Sequence, residues 1–556
     1  MIWSQNYDPL GNPALSTLVA ALPVVVLLGA IALLGIRIHI SALLGLGVAL
    51  LIAVLVYGMP AQLAAATTLY GAATGLFPIG WIILNLMFLY QLTVEKGLFK
   101  VLRESLAKLA PDPRIQVILI AFCLGAFFEG AAGFGTPVAV SAAILLQLGF
   151  PPLQACGLSL IANTAPVAFG GLGIPIITLH NVTGLDVQDL SKMVGRQLAV
   201  FGVLVPFWVV WAMAGFRGML GVWPAALTAG LAFAVPQFLM SNYHGPTLVA
   251  IVASLSSMIA LVVLLKFWRP KEIWKLPELN GAATTPSPCP LPQGEGGSAP
   301  PRAKVVQAWM PWMLLSGILF LWGLPCFKDP MNERFTRKVE VPVLHQCVLR
   351  VPPVAPAGAA PEKAEYKLDL LTATGTAILV AALAAGLLMG FSLKELARHY
   401  ARTLWRVRFS LATIAAMLAL GYVTKYSGTD ATLGLALAKT GSLYPFFGTL
   451  LGWLGVALTG SDTASNVLFG SLQKITAEQT GLSPVLMCAA NSTGGVMGKM
   501  IDAQSIVVAS TATNWYGHEG SILRYVFFHS LALATLAGLL VLLQAYVPPF
   551  TQMLVK

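Results

Sequence analysis

The chain has 556 residues, 57% of them hydrophobic and only 10% charged, with a mean hydropathy of +0.79. That composition cannot clothe a soluble surface in polar groups, and it fits an all-α polytopic membrane protein. The formal charge of +11 does not mark a nucleic-acid binder, because the basic residues sit in short loops beside apolar segments, as the positive-inside bias requires.

The opening MIWSQNYDPLGNP has no Lys or Arg ahead of the first apolar run, so the basic region of a cleavable signal peptide is missing. Apolar segments follow near 14–35, 41–58, 64–93, 153–179, 198–216, 221–240, 246–268, 309–325, 370–391, 409–424, 482–512 and 525–546. They predict about twelve transmembrane helices. Two further stretches, 115–147 and 444–478, carry breaks in the middle. Gly281 to Lys304 reads as a flexible Pro/Gly linker within a cytoplasmic segment 269–308. Residues 326–368 read as a polar extracytoplasmic loop. Cys326 and Cys347 lie in it, either as a disulfide or as two separate thiols. The six cysteines show no CxxC pattern, so no metal, redox motif or other cofactor is expected.

Loop charge sets the orientation. Loop 94–114 holds Lys96, Lys100, Arg103, Lys108 and Arg114, and loop 392–408 holds Lys394, Arg398, Arg402, Arg406 and Arg408. Both belong in the cytoplasm, as does 269–308, which leaves the N-terminus extracytoplasmic. Positions 59–63 have no basic residue, and 425–443 has only Lys425 and Lys439. A loop that is inside in one half is outside in the other, which predicts inverted-topology repeats over 14–216 and 309–546, joined by helices in 217–268.

Two stretches repeat each other. Leu124 to Gly170 contains LGAFFEGAAGFGTP and ANTAPVAFG; Leu454 to Gly498 contains LGVALTGSDTASN and ANSTGGVMG. Parity requires 115–147 and 444–478 each to start and end on one side, and each is too short for two crossings. Re-entrant hairpins satisfy this, with tips at Gly130–Gly135 and Gly460–Asn466. Ordinary helices with small-residue packing faces are the bland alternative.

The tips and two broken helices, near Asn163–Thr164 and Asn491–Thr493, are expected to meet at midplane. Freed N–H groups at half-helix starts, including those around Gly133 and Gly135, bind a carboxylate. Thr136, Asn163, Thr164, Ser461, Thr463, Ser465, Asn466, Asn491, Ser492 and Thr493 add side-chain donors, unless they serve only to pack helices. Glu129 and Asp462 occupy matching places at the tips. An ionisable group inside a membrane segment is a functional candidate, and an apolar setting favours its neutral form, which suits proton carriage. A capped structural carboxylate is the alternative. Lys499 either pairs with Asp502 or neutralises a substrate carboxylate. No HExxH, GxSxG elbow or nucleotide motif points to an enzyme.

FFEGAAGFGTPVA (127–139), LIANTAPVAFGGLGIP (160–175), MVGRQL (193–198), TATGTAIL (372–379), LGWLGVALTGSDTASN (451–466), ANSTGGVMGKMI ending at Ile501, and the opening QNYDPLGN resemble the bacterial L-lactate permease family. The resemblance implies a proton-coupled symporter for L-lactate and related 2-hydroxy-monocarboxylates, such as D-lactate and glycolate, in the bacterial inner membrane. Its partners would be that substrate, protons and the bilayer, with a homo-oligomer left open. A sodium-coupled or exchange carrier is the rival reading. The chain departs from the pattern at Asp502-Ala503, where relatives tend to Ser-Pro, which argues against a mechanistic Asp502.

Overall fold

The computed structural model describes residues 2–32, 34, 36–98, 101, 110–131, 133, 135–274, 302–323, 325–355 and 358–555. Residues 281–301 of the expected linker, Ala132 and Phe134 of the first expected tip, and the side chain of Cys326 lie outside the described residues.

The described chain is overwhelmingly helical, as a bilayer demands, because a helix satisfies its own backbone groups where no water is present. Among the described residues nine helices are long and apolar enough to span. A tenth is gained if Pro152–Ala162 and Val167–Thr183, bent by 65°, count as one. Segments expected at 14–35 and 370–391 contain shorter apolar helices, Pro13–Leu27 and Thr374–Leu388. The protein is a multi-pass membrane protein.

One series of elements occurs twice. In the first, Ala61–Glu95 is followed by Pro113–Gly130, a turn, Thr136–Gln147, the bent pair, and Val187–Leu220. In the second, Leu393–Ser427 is followed by Tyr444–Thr459, Asp462–Thr480, Pro484–Gly498, Ala503–Ala512 and Glu519–Tyr546. The two leading helices run antiparallel: Tyr70 meets Tyr422 edge-on at 4.8 Å, and Phe88 meets Tyr400 at 5.1 Å. Contacts between the series are reciprocal. Gly170–Thr183 packs on Asp462–Thr480, and Ala503–Ala512 packs on Thr136–Gln147.

Residues 392–408 are not a loop. They form the first half of Leu393–Ser427, started by a capping box between Ser392 and Glu395. Lys394, Arg398, Arg402 and Arg406 recur every fourth residue on one exposed stripe of that helix. Their charge hides the helix from a hydropathy reading.

Residues 326–368 are more than a loop as well. They hold the helix Pro325–Phe335 and an antiparallel ribbon of Arg337–Glu340 with Glu365–Leu368. Val348–Leu349 also pairs in parallel with Trp3–Ser4. This cap is fastened to the helices beneath it. Tyr366 donates to the carbonyls of Ala73 and Phe77 at 3.2 and 3.1 Å. Gln5 donates to those of Lys425 and Tyr426 at 3.0 and 2.9 Å.

Inside the cap Arg350 pairs with Glu362 at 3.1 Å. Burial pushes the Glu362 carboxyl up, but the Arg350 and Lys425 cations more than reverse this, and it titrates below its ordinary value. A carboxyl depressed on folding supplies stability that is complete above its unfolded value, near pH ~4.3, and is lost as pH falls through the folded one. A 19F probe at exposed Val343→Cys is therefore expected to report a docked cap from about pH 7 to 5 and release below about pH 4. Glu362→Gln should remove that transition.

Arg114, expected as a loop cation, is buried. It forks onto Asp112 at 2.6 and 3.0 Å and donates to the carbonyls of Gly218 and Glu272 at 2.9 and 2.8 Å. Asp112 also caps the helix it precedes, accepting from Arg114 N at 2.9 Å. Arg114→Ala leaves a buried carboxylate without its cation and is expected to cost about 3–5 kcal/mol. A lowered melting midpoint of the purified protein would register it.

Candidate functional site

The two breaks face one cavity of 320 Å³. That lies at the small end of the roughly 300–1,000 Å³ of small-molecule pockets. Glu129 and Gly133 line it from the first break, and Thr459 to Ala464 from the second. Lys499 and Gln504 reach it from the later break, and Thr74, Tyr422 and Lys425 from the two leading helices.

Each tip carboxyl is held by the Ala-Asn-(Ser/Thr) step of its own series. Asn163 Nδ2 donates to Glu129 Oε2 at 3.1 Å. The Ser492 hydroxyl donates to Asp462 Oδ2. Each carboxyl also presses on a glycine. A Cβ at Gly170 would overlap Glu129 Oε1, and one at Gly495 would overlap Asp462 Oδ1. Asp462 opens Asp462–Thr480, where the helix dipole favours negative charge, and Ser461 caps that helix through Ala464 N at 3.4 Å. The Oδ1 of Asp462 is buried and has no hydrogen-bond partner.

The second helix does not break at Asn491–Thr493. Pro484–Gly498 runs through that step, and the interruption falls at Lys499–Asp502. The polar side chains of the step find partners on neighbouring helices, so the backbone has no reason to open there. Asn491 Nδ2 donates to Asn466 Oδ1 at 2.9 Å, and Gln473 Nε2 donates to Asn491 Oδ1 at 3.2 Å. Thr493 donates to Gln197 Oε1 at 2.6 Å. What restarts the helix is Asp502, whose Oδ1 accepts from Ser505 N at 2.7 Å. Lys499 Nζ donates to the Gly460 carbonyl at 2.6 Å and lies 3.2 Å from Asp502 Oδ2. Lys499 thereby ties the second tip to the break, as a cation at a helix C-terminus should. In the first series Pro152–Ala162 stops with Asn163 as its C-cap.

Of the residues expected at the site, Glu129, Gly133, Ser461, Asp462, Thr463 and Lys499 share the cavity wall. Gly135, Thr136, Asn163, Thr164, Ser465, Asn466, Asn491, Ser492 and Thr493 are not part of it. Ser465 donates to the Gly452 carbonyl at 3.2 Å, Asn466 to that of Pro175 at 3.2 Å, and Thr164 to that of Ile161 at 2.8 Å. Gly135 packs beside Val508, and the Thr136 hydroxyl is buried without a partner. Lys425, Tyr422, Thr74 and Gln504 are wall residues that the sequence did not single out. Lys425 carried the one usable signal, a lysine at the end of an apolar run, but it reads as loop.

The family described as L-lactate permease matches residues 16–548. The glycolate permease GlcA of Escherichia coli (strain K12) is 45% identical over 565 residues, covering 100% of both chains. An L-lactate permease of Bacillus subtilis (strain 168) is 42% identical over 572 residues, 98% of this chain and 99% of its own. An L-lactate permease of Salmonella typhimurium is 43% identical over 551 residues, 98% of each chain. The solved YdaH transporter of Alcanivorax borkumensis covers 87% of this chain and 88% of its own at 15% identity and a TM-score of 0.31, a likeness too slight to argue from. Matches that run end to end take in both breaks, the cap and every long helix, and they place this chain in the L-lactate permease family.

Proposed function

We propose that the protein is a secondary carrier that moves L-lactate, D-lactate or glycolate together with a proton across the bacterial inner membrane. The observation that carries this reading is one small cavity lined by two carboxyls, Glu129 from the first break and Asp462 from the second, and by a cation, Lys499, from the later break. Names borne by relatives, glycolate permease and L-lactate permease, support the substrate class and a permease rather than an enzyme.

The twice-repeated series and its reciprocal contacts support two repeats of inverted topology. On that reading the N-terminus and cap face outward and the basic stripe faces the cytoplasm. The N–H groups that open Asp462–Thr480, with Ser461 and Thr463, receive the substrate's carboxylate and hydroxyl. One tip carboxyl takes the proton, so the pair crosses without net charge, which avoids carrying a bare anion through hydrocarbon. Alternating access comes from the breaks moving against the leading helices. Sodium coupling is disfavoured by one contact: the freed Gly460 carbonyl, a candidate cation ligand, is occupied by Lys499.

Proteoliposomes holding the purified protein test the proposal. An inward proton gradient should accumulate L-lactate and glycolate with no sodium present. Accumulation that needs sodium, or that ignores pH, would overturn the proton claim.

A further inference from the structure

The cavity has a second cation with no task in the scheme above. Lys425 sits near the cap end of Leu393–Ser427, on the wall with Thr74 and Tyr422. Lys499 donates to the Gly460 carbonyl at 2.6 Å and pairs with Asp502 at 3.2 Å. Lys425 is held differently. Its backbone is pinned, since its carbonyl accepts from Gln5 at 3.0 Å, but its ammonium reaches its counter-ion, Glu362 Oε2 of the cap, at only 3.8 Å. The side chain keeps 23% of its exposure, against 5% for that of Lys499.

We propose that Lys425 is the cap-side station that receives the substrate's carboxylate first, before it passes to the start of Asp462–Thr480, and that Glu362 is the resident counter-ion which that carboxylate displaces there. The proposal rests on the carrier reading above. Two observations support the exchange. Glu362 Oε1 is paired with Arg350 at 3.1 Å, so Glu362 retains a cation when it releases Lys425 and no carboxylate is stranded. The Lys425 ammonium has a long contact to Glu362 and lies 5.2 Å from the centre of the Tyr426 ring, so of its three donors at least one is left for a new acceptor. Thr74 and Tyr422 share this wall, the Thr74 hydroxyl donating to the Tyr70 carbonyl at 2.9 Å. Asp430, buried and within electrostatic reach of both Arg350 and Lys425, has an Oδ2 with no hydrogen-bond partner. One displaced carboxylate is replaced by one incoming carboxylate, so the site selects monoanions.

Lactate counterflow in proteoliposomes, read as KM and maximal rate, tests it with four variants. Lys425→Gln should raise KM about tenfold or more with the maximal rate within about twofold, and Lys425→Arg should recover most of that affinity. Glu362→Gln, which removes the competitor, should lower KM, and it should do nothing further when combined with Lys425→Gln. An unchanged KM for Lys425→Gln, or a raised KM for Glu362→Gln, overturns the proposal. If Lys425→Gln fails to fold, as judged by its elution profile, the direction of the Glu362→Gln shift decides alone. Wild-type protein that exchanges neither lactate nor glycolate overturns the carrier reading and this proposal with it. Normal wild-type exchange with an unmoved KM in the variants overturns only this one.

Discussion

Asp462→Asn is expected to abolish proton-driven accumulation of lactate, by about a hundredfold or more, while leaving exchange of lactate for lactate largely intact. Asn is isosteric with Asp and its Oδ1 can still accept from Ser492, so the tip keeps its shape. What disappears is a group able to load and unload a proton. Asp462 is favoured over Glu129 because its Oδ1 is buried against Gly495 with no hydrogen-bond partner, whereas an unpaired buried polar atom ordinarily costs stability and needs a reason to persist. Exchange needs no net proton movement, which is why it separates a lost carrier from a damaged fold. Glu129→Gln run in parallel completes the assignment. If it alone loses accumulation, Glu129 carries the proton; if both variants still accumulate against a proton gradient, neither does.

Gly495→Ala is the second large effect expected. A methyl there collides with Asp462 Oδ1 and meets Val456 Cγ2 at 3.0 Å. Overpacking of this kind costs about 1–3 kcal/mol. The larger loss is functional, because the carboxyl moves, and displacing a reacting group by about 1 Å can cost on the order of a hundredfold. Uptake should fall by that order while the melting midpoint drops only modestly. Gly170→Ala, pressing on Glu129 in the same way, provides the matched control. Combining Gly495→Ala with Asp462→Ala vacates the space and should restore the midpoint but not the transport. A double variant no more stable than Gly495→Ala would show that the clash lies elsewhere.

Much of this arrangement was legible in the residues. Breaks in apolar runs, with Gly130–Gly135 and Gly460–Asn466 between them, are visible because glycine and small polar residues interrupt an otherwise uniform hydrophobic pattern. Glu129 and Asp462 stand out because a lone carboxyl in such a run is expensive. The remainder depended on tertiary partners. Asn491 and Thr493 look like helix breakers until Gln473 and Gln197 supply their hydrogen bonds. Lys394 to Arg406 look like a loop because hydropathy sees charge and misses a four-residue period. Lys425 looks like a loop cation because nothing local says that its helix continues to Ser427. The strands of the cap, two to four residues long, carry too little pattern to be read at all.

The cap's fastenings reach different bodies. Tyr366 holds the leading helix of the first series through Ala73 and Phe77, while Arg350 touches the arm of the second tip at the Val467 carbonyl, 3.5 Å away. Any sliding of that arm past that helix shears one bond or the other. A nanobody that grips the cap across both anchor points is therefore expected to hold the two bodies in one relative position and to lower the maximal rate of uptake.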